Sequence, residues 1–279
     1  MSSWPSASPV RKRFADDDIV FIGTEAGFCS QFNNYLFSIV LAKKEKKKLF
    51  LFDKISPISL SYPVLQNTFI MPPEVTPLTS IPPNAESVQR THSKKIRQLL
   101  SYISEEELRN TARSIFRFTP SMAEIVEKEM AKYSFPTFDV GVHIRSGDKI
   151  TAGEMAIIPI ERYIRELQIY KSGKSAINVF VMTDNPSLLD GLRTDSGLQI
   201  YSLEHKSPCS GAHVQAEFNR SPRKTKEEAY IQFITELSIL QKVPGVICTL
   251  SSNIGRFLYI TREDVSKFKS LDLPVYTPG

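Results

Sequence analysis

A short apolar segment near the middle of the chain ends in a dense run of charged residues. The segment reads VGVHIRSGDK, Val140–Lys149, and it contains His143, Arg145, Asp148 and Lys149. Placed at the end of a strand, an arginine fork and a lysine point charge can hold a diphosphate. A surface salt bridge between Arg145 and Asp148 is the simpler interpretation, but it leaves the other polar groups unexplained. We therefore expect an anion-binding site here.

Two further apolar segments pass directly into polar residues. VICTLSSNIGR, Val246–Arg256, reads as a buried strand that enters a helix through Thr249, Ser251, Ser252 and Asn253. VFVMTDNP, Val179–Pro186, ends in Thr183, Asp184 and Asn185. Such side chains cap helices, and the helix N–H groups that they accompany also bind phosphate, so the two interpretations are compatible.

Apolar strand patterns that alternate with helical patterns predict a parallel α/β architecture, in which ligands bind outside the carboxyl ends of the strands. We predict strands over residues 18–23, 49–53, 138–144, 178–183, 198–203 and 245–249. We predict helices over residues 31–44, 92–102, 104–116, 121–133, 159–170, 185–192, 224–241 and 252–260.

The chain is expected to divide into a disordered tail and two lobes. Residues 1–17 form a Ser/Pro-rich tail, and residues 18–135 and 136–279 form the lobes. Residues 55–90 carry seven prolines and are predicted to be irregular. Long ordered loops are often functional, and acceptor recognition is one role that we consider for this segment of the N-terminal lobe.

Composition excludes several classes of protein. The net charge of +5 owes much to KKEKKK at Lys43–Lys48, and no broad basic face with interleaved aromatics indicates a nucleic-acid partner. Three cysteines cannot build a disulfide framework. The longest apolar run, Tyr35–Ala42, is far shorter than the roughly 20 residues that span a bilayer. The expectation is a soluble, cytoplasmic protein with no membrane span.

The charged segment and its surroundings resemble the α1,6-fucosyltransferase family of N-glycan core and bacterial nodulation-factor enzymes. HIRSGDK, followed by Glu154 and PIERYI at Pro159–Ile164, is similar to the family's His-x-Arg-Arg-x-Asp-Lys motif, nearby Glu and Pro-Ile-Glu helix. TDNPSLL at Thr183–Leu189 is similar to its Thr-Asp-Asp-Pro-Ser-Leu-Leu. The resemblance covers most of residues 140–260 in the family's order.

Two more stretches extend the resemblance. Glu236–Arg256 is similar without a gap to the family's Asp-Ile-His…Cys-Thr-Phe-Ser-Ser-Gln segment. GFCSQFNNYLFSIVLA at Gly27–Ala42 is similar to its first Gly-rich helix start, within a looser match over residues 20–53. Several motifs in one order make the resemblance specific.

The resemblance implies a GT-B-like fold with two Rossmann-type lobes and a central cleft, the C-terminal lobe binding the nucleotide sugar. It implies an inverting single displacement onto an oligosaccharide or glycoconjugate acceptor, with neither metal nor cofactor. Arg145 would bind the donor's β-phosphate, and His143 and Glu236 would lie by the nucleoside. The remaining implied site residues are Asp184, Ser251, Ser252 and Asn253 for the donor, and Asp148, Lys149 and Glu154 near the reacting centre.

Three departures from the family's pattern leave the donor open. Ser146 stands where the family has a second Arg, Asn185 where it has a second Asp, and Glu236 where it has Asp. GDP-fucose is the first candidate, because a carboxylate accepts the paired N–H donors of guanine. A UDP-sugar such as UDP-xylose is the alternative donor. The alternative function is that of a non-catalytic glycan- or nucleotide-binding protein on the same fold.

One potential metal motif is rejected. His205, Cys209 and His213 are spaced four apart, which would align three ligands on a helix. Pro208 and Gly211 interrupt such a helix, and the segment is predicted to be a loop.

Overall fold

The computed structural model describes residues 14–15, 18–24, 26–53, 64–147, 157–203 and 214–276. The chain divides into two compact units, Met1–Met122 and Ala123–Gly279. This division lies before the boundary near residue 135 that we expected, and the helix at Pro120–Met130 runs through it.

The N-terminal unit is built on a three-stranded parallel sheet. Strands β1 (Ile19–Ile22), β2 (Leu49–Phe52) and β3 (Val75–Pro77) lie side by side in chain order. All eight residues of β1 and β2 are buried, as expected of parallel strands covered on both faces. The helices are α1 (Phe28–Glu45), α2 (Val64–Thr68), α3 (Ala85–Leu100), α4 (Glu105–Ile115) and α5 (Pro120–Met130), which continues into the second unit.

Helix α1 follows β1 and begins after Gly27. The buried side chain of Gln31 organises the connection: its Oε1 accepts from the Thr24 N–H at 3.0 Å, and its Nε2 donates to the Ala26 carbonyl at 2.8 Å. Most of the helix is buried, and lysines occupy its last turn, where positive charge favours the helix dipole. The predicted strand–helix–strand order of this region is confirmed.

The expectation that residues 55–90 are irregular is wrong in part. Helix α2, strand β3 and the start of α3 lie within that range. The prolines are compatible with these elements because β3 is an edge strand that ends at Pro77, where an absent N–H costs no central ladder bond.

The C-terminal unit is a doubly wound parallel sheet. Its strands are β4 (Val140–Ile144), β5 (Ile177–Thr183), β6 (Leu198–Tyr201), β7 (Val246–Cys248) and β8 (Phe268–Ser270), arranged in the order β6-β5-β4-β7-β8. Its helices are α6 (Ile160–Lys171), α7 (Leu188–Leu192), α8 (Gln215–Arg220), α9 (Arg223–Lys242) and α10 (Asn253–Thr261).

Helices cover both faces of this sheet. Val142 and Ile144 of β4 share a buried cluster with Tyr163 and Leu167 of α6. The intervening Gly141 faces the other side, where a Cβ would collide with Leu240 of α9. The predicted helices and strands of this unit are confirmed to within a few residues, whereas α8 and β8 were not predicted.

Candidate active site

The sheet order of the C-terminal unit creates a topological switch point between β4 and β7. From β4 the chain winds outward through β5 and β6, then returns to place β7 on the opposite side of β4, with β8 outside it. The connections that leave the carboxyl ends of β4 and β7 therefore diverge and open a crevice, which is where open parallel sheets bind ligands. The predicted anion-binding segments follow these two strands.

The loop after β4 is held by Asp184, which follows β5. The carboxylate of Asp184 accepts from the N–H groups of Ser146 at 2.7 Å and Gly147 at 2.9 Å. Arg145 Nη1 lies 2.6 Å from Asp184 Oδ2, and only 13% and 12% of the two side chains are exposed. Asp184 thus fixes the backbone of the loop and the guanidinium of Arg145 together.

Two of the residues that depart from the family pattern meet in this loop. Asn185 Nδ2 donates to Ser146 Oγ at 3.3 Å. The backbone N–H of Asn185 also donates to the hydroxyl of Thr183, at 3.2 Å. A neutral pair therefore stands here, where the resemblance would place an Arg and an Asp.

His143 and Glu236 share the layer between β4 and α9. His143 lies on the same strand face as Gly141, which packs on Leu240 of α9, and Glu236 precedes Leu240 by one helical turn. Both side chains are buried, at 1% and 7% exposure. Gln232 Nε2 donates to Glu236 Oε1 at 3.1 Å, while His143 Nδ1 has no hydrogen-bond partner within the described part of the chain.

Burial shifts the pKa values of these two groups in opposite directions. It raises the pKa of Glu236 to about 8, because the hydrogen bond from Gln232 offsets the loss of hydration only in part. Burial and the nearby charge of Arg145 lower the pKa of His143 to about 3. At neutral pH both groups are therefore mainly uncharged in the unliganded protein.

The loop between β7 and α10 is the other half of the switch point. Ser252 caps α10, its hydroxyl accepting from the Ile254 N–H at 3.2 Å, so the predicted cap is confirmed. Ser251 donates its hydroxyl to Asp272 Oδ2. The hydroxyl of Thr249 is buried and has no hydrogen-bond partner among the described residues.

The structure brings most of the predicted donor-binding residues to one edge of the sheet. His143, Arg145 and Asp184 gather around the end of β4, and Ser251, Ser252 and Asn253 follow β7. Glu236 joins them from α9. The predicted catalytic residues Asp148, Lys149 and Glu154 lie outside the described residues, as do His205, Cys209 and His213.

Sequence reasoning missed Asp272, whose carboxylate contacts the β7–α10 loop through both oxygens. It follows β8, which is only three residues long and shows no fully buried position, so no strand was predicted there. Phe268, Lys269 and Ser270 form neither an apolar run nor an apolar–polar alternation, so the sequence carried no strand signal before Asp272.

The described residues show neither a cluster of potential metal ligands nor a helix suited to crossing a membrane. No group of three or more His, Cys, Asp or Glu side chains is placed to hold a metal ion in the part of the chain that the structure describes. Among the described helices, none combines the length and the apolar character that a membrane crossing requires.

Proteins of known structure share the fold of this chain. The chain is similar to the NodZ α-1,6-fucosyltransferase soaked with GDP-fucose, at a TM-score of 0.58 and 13% identity over 88% of this chain and 93% of that one. It is similar to POFUT1 in complex with GDP, at a TM-score of 0.56 and 9% identity over 94% of this chain and 100% of that one. Identities this low establish the fold alone, and they confirm the predicted GT-B-like α/β class.

Sequence comparison identifies the family. A relative from Caenorhabditis elegans, an alpha-(1,6)-fucosyltransferase, is 25% identical over 179 residues, which are 59% of this chain but 30% of that protein's length. The family model for alpha-(1,6)-fucosyltransferase N- and catalytic domains matches residues 68–276. Because that match spans most of the chain, the protein belongs to the alpha-(1,6)-fucosyltransferase family of glycosyltransferases.

Proposed function

We propose that this protein is an inverting glycosyltransferase that moves one sugar from a nucleotide-diphosphate sugar to a hydroxyl of an oligosaccharide, with GDP-fucose as the first candidate donor. The observation that carries the proposal is the switch point. It places Arg145 and the N-terminus of α10 at the ends of adjacent strands β4 and β7. Structures of NodZ soaked with GDP-fucose and of POFUT1 with GDP, which share the fold, support a GDP-linked donor.

The chemistry follows from where charge develops. As the acceptor hydroxyl attacks the anomeric carbon, the bond from that carbon to the diphosphate breaks, and negative charge accumulates on the leaving nucleoside diphosphate. Arg145, which Asp184 holds at 2.6 Å, and the N–H groups at the start of α10 would stabilise that charge. A carboxylate must take the hydroxyl proton, and Glu154 or Asp148 is assigned this role from the family resemblance.

Metal independence is a second part of the proposal. A guanidinium and a helix N-terminus can replace a divalent ion at the leaving group. We expect turnover to survive an excess of EDTA, measured as nucleoside diphosphate release. A rate that collapses in EDTA and returns with magnesium or manganese would refute metal independence while leaving the transferase assignment in place.

A UDP-sugar is the second candidate donor. The observation that supports it is the protonation of the buried Glu236. With its pKa raised to about 8, Glu236 carries a proton at neutral pH. A protonated carboxyl can donate to one carbonyl of uracil and accept from its N3–H, whereas the guanine edge presents two donors that suit a carboxylate.

Calorimetric titration with GDP and with UDP, followed by turnover assays with both classes of sugar nucleotide, tests the proposal. We expect GDP to bind and GDP-fucose to be consumed. Binding of UDP alone would replace the donor, and nucleotide binding without turnover on any acceptor would indicate a non-catalytic binding protein. If neither nucleotide binds, the proposed function is wrong.

A further inference from the structure

Each of the two loops at the switch point is held by a carboxylate from the strand outside it. Asp184, after β5, accepts from two consecutive N–H groups of the loop after β4. Asp272, after β8, accepts from the consecutive N–H groups of Leu250 at 2.8 Å and Ser251 at 3.2 Å in the loop after β7. In the sheet, β5 lies next to β4 and β8 lies next to β7. Each loop is therefore held by one carboxylate, which comes from the neighbouring strand on its outer side.

Asp272 is saturated by hydrogen bonds from the protein. Besides the N–H groups of Leu250 and Ser251, it accepts from the hydroxyls of Ser251 and Ser270 and from the N–H of Leu273. Burial opposes ionisation of Asp272, but these hydrogen bonds outweigh it and lower its pKa below the ordinary range. The carboxylate is therefore charged and fully engaged within the fold.

This arrangement leads directly to the start of α10. The hydroxyl of Ser251 donates a hydrogen bond to Asp272. While this contact lasts, the hydroxyl cannot donate to a ligand. The next residue, Ser252, caps α10, and Asn253 is the first residue of the helix. The conformation that Asp272 imposes on Leu250 and Ser251 thus sets where the first N–H groups of α10 lie relative to β7.

We infer that Asp272 is a positioning residue of the donor site: it holds Leu250 and Ser251 so that the N-terminus of α10 can receive a diphosphate, and it does not contact the ligand itself. The inference rests on the proposed function. It assigns Ser251 to the support of the loop rather than to direct contact with phosphate.

Hydrogen exchange of the unliganded, full-length protein tests the positioning directly. Asp272→Asn removes the charge and one acceptor oxygen with little change of shape, and Asp264→Asn is the matched control. Asp264 is exposed and accepts from a turn N–H, that of Ser266, at 2.7 Å. We expect exchange at Leu250 and Ser251 to accelerate by about tenfold or more in Asp272→Asn and to stay unchanged in the control. Unchanged exchange in both variants overturns the inference.

A double-mutant cycle on GDP affinity tests the consequence for the ligand. We expect Asp272→Asn to weaken GDP binding by about tenfold and Ser251→Ala to weaken it by less, because Ser251→Ala removes only one of the hydrogen bonds to Asp272. The double variant should be no weaker than Asp272→Asn, since the Ser251 hydroxyl acts through Asp272. A GDP affinity unchanged in Asp272→Asn, with only the melting temperature lowered, shows a purely structural role and overturns the inference. Additive losses overturn the route through Ser251.

The two proposals fail in distinguishable ways. If the unaltered protein binds neither GDP nor UDP, the proposed function is wrong, and the donor-site role of Asp272 falls with it. If the unaltered protein binds GDP but Asp272→Asn changes neither exchange nor affinity, the proposed function stands and the assignment of Asp272 is wrong.

Discussion

At the scale of single residues, the candidate site combines a paired cation with two buried groups that are uncharged in the unliganded protein. Arg145 has its counter-ion in Asp184, so its position is defined before any ligand arrives. Glu236 and His143 carry opposite pKa shifts with burial as the largest cause. Under the proposed function, Arg145 would contact the phosphates, and of the two buried groups only Glu236 would change its protonation state near neutral pH.

The first residue-scale prediction concerns Arg145. We expect Arg145→Ala to weaken GDP binding by ten- to a hundredfold, since a charge-assisted contact contributes about 1.5–3 kcal/mol. The melting temperature should change little, because Asp184 still accepts hydrogen bonds from the N–H groups of Ser146 and Gly147. Arg193→Ala, which removes an exposed ion pair with Asp190, is the control for general charge. Calorimetry showing unchanged GDP affinity in Arg145→Ala would remove Arg145 from the site.

The second residue-scale prediction is a pH dependence of nucleotide binding. If guanine requires ionised Glu236, GDP affinity should fall by up to tenfold for each pH unit below the pKa of about 8, because only the ionised fraction is competent. His143 does not titrate in this window, since its pKa is about 3. Calorimetry between pH 6 and 8.5, with Glu236→Gln as the control that removes the slope, measures the effect.

The opposite slope is equally informative. Affinity for UDP that decreases as the pH rises through 8 would show that the protonated carboxyl is the competent form and would favour the uridine donor. A flat GDP profile in the unaltered protein would mean that Glu236 does not face the base.

At the scale of elements, the close approach of α10 to β7 decides where the helix N-terminus lies. Gly255 is in the first turn of α10, and a Cβ there would collide with the carbonyl oxygen of Thr249 and lie 3.3 Å from Cys248 Sγ. The small residue lets the helix pack directly on the strand that leads into it, as the third glycine of dinucleotide-binding turns does.

We therefore expect Gly255→Ala to displace α10. Overpacking should cost about 1–3 kcal/mol of the free energy of unfolding. GDP affinity should fall as well, because the N–H groups that we propose as phosphate ligands move with the helix. Gly191→Ala in α7 is the matched control, since its Cβ would lie 3.4 Å from Ile160 and make an ordinary contact. Thermal unfolding and calorimetry of both variants check this, and equal behaviour of the two would contradict it.

At the scale of the whole molecule, each compact unit contains a buried carboxyl group that resists ionisation. In the N-terminal unit, burial raises the pKa of Asp53 to about 7, although the N–H groups of Leu65 and Gln66 donate to it. In the C-terminal unit Glu236 has the same property. Both groups are protonated in the folded state at pH values where the unfolded chain has already lost those protons.

This difference predicts that stability falls as the pH rises. Between about pH 5 and 8 the folded state binds more protons at Asp53 and Glu236 than the unfolded state, so the free energy of unfolding decreases with pH. His143 acts in the opposite sense, since its lowered pKa costs stability as the pH falls from about 6.5 towards 3. Two carboxyls outweigh one imidazole, and the net slope should be on the order of 1 kcal/mol for each pH unit.

Melting temperatures from pH 5.5 to 8 measure the slope. Glu236→Gln and Asp53→Asn should each flatten it, because each removes one titrating group from the folded state. The lowered pKa values of Asp139 and Asp272 lie outside this window and leave the comparison unaffected. A melting temperature that rises steadily with pH would show that neither carboxyl is protonated in the fold.

The sequence by itself determined the chemistry of the segments and most of the elements that carry them. Apolar runs that end in Arg145, Asp184 and Ser252 identified strand ends, because alternation of strand and helix periods is a local property of the chain. The motifs that resemble the family are likewise local stretches of sequence, so the family could be identified from them without the structure. Residues 64–77 show the limit: prolines predicted irregular backbone, but an edge strand tolerates them.

Only the tertiary structure decided which segments meet. The order β6-β5-β4-β7-β8 makes β4 and β7 neighbours although about a hundred residues separate them, and no local pattern encodes that pairing. The same strand order brings Asp272 to Ser251. Asp272 follows β8, a strand of three residues that is too short to be recognised from the sequence. The raised pKa of Glu236 likewise comes from burial against a sheet distant in sequence, because desolvation depends on everything packed around the carboxyl group.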